Sequence, residues 1–119
     1  METRVIKTFG PSILKAKIPT SIINNINLYI DELVKDEKKS KNLNAGNKLV
    51  GDVTQEFNLE TEFIKKSGWG VFLASCVSKW IEFETKKKLT KFEILNSWVV
   101  RQFANEYNPT HWHGGHITG

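Results

Sequence analysis

The sequence predicts an α+β fold, with residues 1–119 forming a single domain. Two short β-prone runs open the chain, two apolar stripes at helical spacing fill its middle, and a run of alternating residues lies near its end. With 39% hydrophobic and 25% charged residues, the composition is typical of one small soluble domain with a modest core.

The first elements predicted are two strands, Val5 to Phe9 and Ile13 to Ile18, separated by the turn signal Gly10-Pro11. Pro19 then marks the start of a helix of about four turns. Its apolar residues recur at helical spacing and form one stripe: Ile22, Ile26, Tyr29, Ile30 and Leu33.

The middle of the chain is predicted to be a loop followed by a second helix. Residues 36–48 hold almost no apolar side chain, so we expect an exposed loop there. Leu49 to Leu59 fits either an extended segment or a turn of helix. The second helix lies within Glu60 to Lys87, and its stripe consists of Phe72, Cys76, Trp80 and Phe83. We expect both helical stripes to face the same sheet.

A change of period predicts a strand near the C-terminus. From Phe92 to Ala104 two sets of residues alternate, and the run is rich in β-branched and aromatic side chains.

Charge and cysteine content bear on partners and compartment. The formal net charge is +4, and the lysines cluster beside predicted helix ends, where they favour the helix dipole and stay solvated. Only Arg4 and Arg101 are arginines, which argues against nucleic-acid binding.

The single cysteine, Cys76, is predicted to be a packed thiol, and a lone cysteine agrees with a reducing compartment. No apolar run reaches the length of a membrane span, so we expect a cytoplasmic protein with no membrane partner.

All three histidines of the protein, His111, His113 and His116, fall within six positions. On an extended strand, the spacing of His111 and His113 would place both imidazoles on one face, with Trp112 opposite. Two neutral imidazole nitrogens pointing the same way are suitable ligands for a first-row metal. A His-x-His on a surface strand is also often only polar.

The residues around the histidines resemble a known family. Trp98 stands on the predicted strand, and Tyr107-Asn108-Pro109-Thr110-His111-Trp112-His113 follows a short turn. Gly114-Gly115 and the pair Thr118-Gly119 come next. This pattern resembles the 2-oxoglutarate- and Fe(II)-dependent oxygenases of marine bacteria and phages, which are relatives of the prolyl hydroxylases. The match covers about the last 25 residues.

The resemblance implies Fe(II) and 2-oxoglutarate as cofactors, with His111 and His113 as metal ligands. In the wider superfamily a carboxylate usually stands where this chain has His113, and His116 is the reserve candidate for the second ligand. No catalytic residue is assigned. The distal histidine and the basic residue that binds the co-substrate lie on later strands in the family, so we expect this chain to carry only the first metal-binding motif of a truncated oxygenase.

The fold implied by the resemblance is the N-terminal part of a double-stranded β-helix (jelly roll) with two helices packed on the sheet. Open sheet edges of such a part would favour self-association. The implied activity of the parent protein is hydroxylation of a protein side chain or a small molecule. The alternatives are a non-enzymatic phage or bacterial binding or assembly module with an incidental histidine cluster, and a metal-binding cupin-type protein that does not use 2-oxoglutarate.

Overall fold

The computed structural model describes residues 1–44 and 53–119, which form four helices and two small antiparallel sheets. The α+β class is therefore confirmed. In chain order the elements are β1 (Thr3–Ile6), β2 (Ile13–Ala16), α1 (Thr20–Lys35), α2 (Glu37–Leu43), β3 (Gln55–Asn58), α3 (Thr61–Lys66), α4 (Trp69–Thr85) and β4 (Trp98–Arg101). The described residues group into two compact units. Unit 1 comprises 1–28 and 61–93, and unit 2 comprises 29–60 and 94–119.

Unit 1 contains the hairpin of β1 and β2. Two strands were predicted here, but β1 begins and ends earlier than the predicted Val5 to Phe9, and β2 ends at Ala16 rather than Ile18. The strands pair antiparallel from Thr3 opposite Ala16 to Ile6 opposite Ile13. Gly10 in the connection has a φ of +85°, a conformation that favours glycine. β2 contacts α4.

Hydrogen bonds and an ion pair connect the hairpin to α4 within unit 1. The indole Nε1 of Trp80 donates to the carbonyl oxygen of Ser12 at 3.1 Å. The buried hydroxyl of Ser12 donates to the carboxylate of Glu84, which also lies 4.0 Å from Nζ of Lys7. Trp80 is only half-buried, so its replacement by alanine should cost less than the loss of a fully buried ring.

The predicted stripe of α1 is confirmed. Ile22, Ile30 and Leu33 are buried, and Ile26 and Tyr29 are half-buried. The described residues contain two two-stranded sheets, and the expectation that both helical stripes face the same sheet stays a prediction.

The second predicted helix is two helices, α3 and α4. Gly68 separates them with a φ of +86°, a left-handed conformation at the N-cap of α4 that a continuous helix does not contain. Along the α4 stripe Phe72 is buried, whereas Phe83 is exposed. Burial raises the pKa of the Cys76 thiol above its ordinary value, as expected of a packed cysteine rather than a nucleophile.

The prediction of a loop at residues 36–48 is wrong where α2 forms. Asp36 caps this helix, because its carboxylate accepts a hydrogen bond from the backbone N–H of Lys39 at 3.1 Å. The helix has no buried residue, so the expected exposure holds for its described part. Because its residues are almost all polar, the helix lacks the apolar periodicity from which a helix is predicted. Residues 45–48 of the expected loop lie outside the described residues.

Unit 2 is built on the pairing of β3 with β4. The register runs antiparallel from Gln55 opposite Arg101 to Asn58 opposite Trp98. β3 resolves the ambiguity of residues 49–59 in favour of an extended segment over 55–58, and residues 49–52 lie outside the described residues. Among the described residues of unit 2, the buried apolar side chains are Ile30, Leu33, Val53, Phe57 and Leu59.

The strand predicted over residues 92–104 is confirmed only for Trp98–Arg101. The longer strand was predicted from the alternation of residues alone, but a strand also needs a hydrogen-bonded partner along its length. β3 provides a partner for only four residues of β4. Next to this ladder, one further backbone hydrogen bond runs from the Leu59 N–H to the Ser97 carbonyl at 2.9 Å.

A polar cluster joins α1, α2 and the end of β3 in unit 2. The Tyr29 hydroxyl donates to Oε1 of Glu60 at 2.5 Å, and Nζ of Lys39 lies 2.9 Å from the same oxygen. Burial, and then the bond to Glu60, raise the pKa of Tyr29 above its ordinary value. The hydrogen bonds from Tyr29 and Lys39 lower the pKa of the Glu60 carboxyl.

The core of unit 2 predicts a large difference between two phenylalanine substitutions. Phe57 is 1% exposed, so Phe57→Ala should lower the free energy of unfolding by about 3–5 kcal/mol. Phe103→Ala is the matched control, because that ring is 53% exposed and its removal should cost less than about 1 kcal/mol. Urea unfolding of the two variants measures both values. Similar losses in both would contradict the placement of Phe57 at the centre of this core.

Candidate metal-binding site

The candidate site begins at the end of β4 and lies within unit 2. Arg101, the last residue of β4, donates from Nη2 to Oδ1 of Asp31 on α1 at 2.6 Å. This ion pair fixes the end of the strand from which the histidine segment departs. It also directs the guanidinium of Arg101 to a carboxylate of the protein itself.

Glu106 holds the turn that follows β4. Its carboxylate accepts from the backbone N–H of Phe103 at 2.9 Å, from the N–H of Thr54 at 3.3 Å and from the Thr54 hydroxyl. Its carbonyl accepts from Nε2 of Gln102 at 2.7 Å. Asn105 inside this turn has a φ of +65°, a conformation that Asn tolerates better than most residues. These bonds set the direction in which the chain continues toward the histidines.

The ring of His111 is oriented by its own backbone. Its Nδ1 lies 2.7 Å from the carbonyl oxygen of Pro109. A carbonyl oxygen can only accept, so Nδ1 must carry the hydrogen of this bond. In the neutral ring Nε2 then holds the lone pair. A histidine held through Nδ1–H in this way is the usual arrangement for metal binding through Nε2.

His113 is held between a ring and a hydroxyl. Its imidazole meets Trp98 of β4 edge-on, with ring centroids 5.1 Å apart and planes at 86°. Its Nδ1 lies 3.4 Å from Oγ1 of Thr118. Gly115 has a φ of +107°, which lets the chain bend back between His113 and Thr118.

The structure brings together the first two histidines predicted as ligands. The ring centroids of His111 and His113 are 4.8 Å apart and their planes are inclined by 50°. The strand on which this proximity was predicted is not present, since residues 108–119 form no strand. Local hydrogen bonds, rather than strand alternation, therefore place the two rings side by side.

His116 and Trp112 are not part of this arrangement as described. Trp112 is 87% exposed. All three histidines are exposed, and His116 stands in the bend after Gly115. In residues 1–44 and 53–119 no group of three or more His, Cys, Asp or Glu side chains is placed to hold a metal ion. The histidine pair offers two nitrogen ligands and nothing more among these residues.

Sequence reasoning missed Glu106 as the residue that positions the segment. No local pattern marks it, because its main partner, Thr54, is 52 positions away. The contact between Trp98 and His113 was also not predicted, although both residues belong to the motif on which the family resemblance rests.

Comparisons with known proteins add no relative. No protein-family model, curated protein or solved structure matches the chain. Among the described residues no helix has both the length and the apolar character needed to cross a membrane.

The role of Glu106 predicts a pH-dependent effect on stability. Hydrogen bonds from Thr54 and Phe103 lower the pKa of its carboxyl. A carboxyl with a lowered folded-state pKa stabilises the fold above its unfolded pKa of about 4.3, and this contribution is lost as pH falls through the folded-state pKa. Glu106→Gln should therefore be less stable than wild type above about pH 5, and the difference should shrink below about pH 4.

Urea unfolding of both proteins between about pH 3 and pH 6 measures this difference. If the difference in stability between the two proteins stayed constant over that range, this would contradict the role of an ionised Glu106 in stabilising the turn.

Proposed function

We propose that this chain carries the first metal-binding motif of a 2-oxoglutarate- and Fe(II)-dependent oxygenase, with His111 and His113 as metal ligands. The observation that carries the proposal is the juxtaposition of these two imidazoles, 4.8 Å apart, inside the sequence that resembles the family's motif.

The donor chemistry of the pair fits a first-row divalent metal. Imidazole nitrogens are common ligands of Fe(II), Co(II), Ni(II) and Zn(II). The Nδ1 of His111 is engaged by the Pro109 carbonyl, which leaves Nε2 to bind. The ring of His113 rests against Trp98, which limits its rotation and lowers the entropy lost on binding.

The fit is partial, because the superfamily's centre usually includes a carboxylate and a further histidine. An imidazole at position 113 brings no negative charge, so the metal would keep more of its positive charge than in the usual centre. A complete centre would require at least one ligand besides this pair.

Bound Fe(II) with 2-oxoglutarate would supply oxidative hydroxylation chemistry, and the protein would supply binding and orientation. Within this chain, the Pro109 carbonyl and Trp98 would orient the two ligands. The ion pair of Arg101 with Asp31 makes Arg101 a poor candidate for binding the far carboxylate of 2-oxoglutarate. We propose that another cation performs that role.

The proposal includes a jelly-roll architecture for the parent domain, in which β3 and β4 would be neighbouring strands. The prime substrate would be a protein side chain or a small molecule. The compartment would be the cytoplasm, which agrees with the single cysteine of the sequence.

A second function has its own support in the exposed side chains of unit 2. Several large apolar residues near the motif are exposed: Trp98, Val100, Phe103, Tyr107, Trp112 and Ile117. Exposed apolar groups of this kind often mark protein-interaction surfaces. They favour the alternative of a non-enzymatic binding or assembly module in which the histidines are incidental, and self-association would be one form of it.

Metal titration separates the two proposals. The oxygenase proposal predicts that the full chain binds Co(II) or Ni(II), more weakly than a complete three-ligand site would. His111→Ala should lower the affinity by at least the roughly 10- to 100-fold that loss of an outer-shell partner costs. His116→Ala is the matched control and should bind the metal as wild type does. Isothermal titration calorimetry measures all three proteins.

Two results would change the assignment of ligands. Equal binding by wild type and His111→Ala would remove His111 from the site. Loss of binding in His116→Ala would replace the pair with a site that includes His116.

Turnover gives a further prediction. We expect no succinate release from 2-oxoglutarate by residues 1–119 with Fe(II) and ascorbate. The histidine pair lacks a third ligand among the described residues, and catalysis depends on precise placement of the reacting groups. Succinate release by this chain that disappears in His111→Ala would contradict the expectation that it holds only part of a site.

A further inference from the structure

The outer face of the hairpin in unit 1 carries an unusual arrangement of positive charge. β1 and β2 pair so that Arg4 stands directly opposite Lys15. The backbone bond from the Lys17 N–H to the Glu2 carbonyl continues the same register. Because side chains alternate along a strand, Arg4, Lys15, Lys17 and Glu2 share one face of the hairpin. The first three are exposed, whereas Leu14 and Ala16, on the other face, are partly covered.

Glu2 is the one carboxylate that the register places on this face, opposite Lys17, so the positive charge is only partly neutralised. Like charges directly opposite each other on paired strands destabilise a hairpin. Across residues 1–44 and 53–119, none of Arg4, Lys15 and Lys17 forms an ion pair, although nearby Lys7 is paired with Glu84. Glu2 is the single acidic residue among the first 30 positions of the sequence. The like-charge pair of Arg4 and Lys15 therefore carries an electrostatic cost that no ion pair among the described residues relieves.

The charge is concentrated in unit 1 as a whole. Its segments contain eleven Lys and Arg against five Asp and Glu, a formal charge of +6. Unit 2 contains six against eight, a formal charge of −2. A strong asymmetry of this kind points to a polyanionic partner for the basic part.

A fully exposed aromatic ring lies in the connection of the same hairpin. Phe9 is 99% exposed and precedes Gly10 in the connection between β1 and β2. Ile13, on the same face as Lys15, is 62% exposed. A fully exposed phenylalanine contributes nothing to a hydrophobic core. It does provide a flat surface on which a nucleic-acid base can stack.

We propose that this face binds single-stranded nucleic acid, with backbone phosphates along Arg4, Lys15 and Lys17 and a base stacked on Phe9. Lys15 and Lys17 are about 7 Å apart along the strand, so they can meet successive phosphates of an extended chain. A basic surface beside a stacking aromatic is the usual combination in proteins that bind single strands. An anionic membrane surface is less well matched, because its binding requires a larger buried apolar area than Phe9 and Ile13 provide.

The small number of arginines in the sequence argued against a nucleic-acid partner. The structure places one of the two, Arg4, on this basic face and leaves the ring of Phe9 exposed in the connection of the same hairpin.

Fluorescence anisotropy with a labelled oligothymidylate of about twelve nucleotides tests the proposal. Three phosphate contacts predict a slope of about −2 for the logarithm of the association constant against the logarithm of salt concentration. Arg4→Ala/Lys15→Ala should weaken binding at least about tenfold at 50 mM salt and bring the slope close to −0.7. Phe9→Ala should weaken binding about tenfold and leave the slope unchanged.

The matched control is Lys38→Ala/Lys41→Ala on α2, which removes the same charge from two exposed lysines outside unit 1. It should bind the oligonucleotide within about twofold of wild type. His111→Ala should bind as wild type does, which separates this proposal from that of the metal site. Thermal melting should leave Arg4→Ala/Lys15→Ala at least as stable as wild type, because the substitution removes a like-charge pair.

Four results would overturn the proposal. They are equal losses in the two double variants, an unchanged affinity in Phe9→Ala, tighter binding to a duplex of the same length, and binding to phosphatidylserine vesicles without binding to the oligonucleotide.

Discussion

The antiparallel pairing of β3 with β4 is the interaction on which the arrangement of unit 2 depends. Phe57 at its centre is buried together with Ile30 and Leu33 of α1, so the ladder and the helix share one core. At one end of β4, Arg101 reaches Asp31. At the other end, Trp98 presents its ring to His113. The short ladder thus fixes both the core and the ring against which a candidate metal ligand rests.

The candidate site is held by many modest contacts rather than by burial. Glu106 joins the turn after β4 to Thr54, and the Pro109 carbonyl orients His111. Both histidines are exposed, so a bound metal would stay close to water, and each ligand would contribute less than in an enclosed site. Under the proposed function, the pair of nitrogen ligands would bind a metal weakly alone and strongly only when further ligands complete the site.

The sequence predicted the parts whose signal is local. Gly10-Pro11 marked the hairpin, and the stripe through Ile30 marked α1. α2 was missed because its cap at Asp36, and not apolar periodicity, supports it. β4 was predicted too long because β3 limits its pairing, and Gly68 divided a helix predicted as one. The histidine pair was foreseen, but from strand alternation; bonds such as that of Glu106 to Thr54, far apart in sequence, give no local signal.

Nitrogen-15 NMR of the imidazole rings, recorded with and without Zn(II) as a diamagnetic probe, tests the central claim most directly. We predict that the Nε2 resonances of His111 and His113 shift together as the metal is added. The Nδ1 of His111 should keep its hydrogen, because the Pro109 carbonyl accepts it. Unchanged Nε2 resonances of both residues, or a shift confined to His116, would contradict a metal site built on this pair.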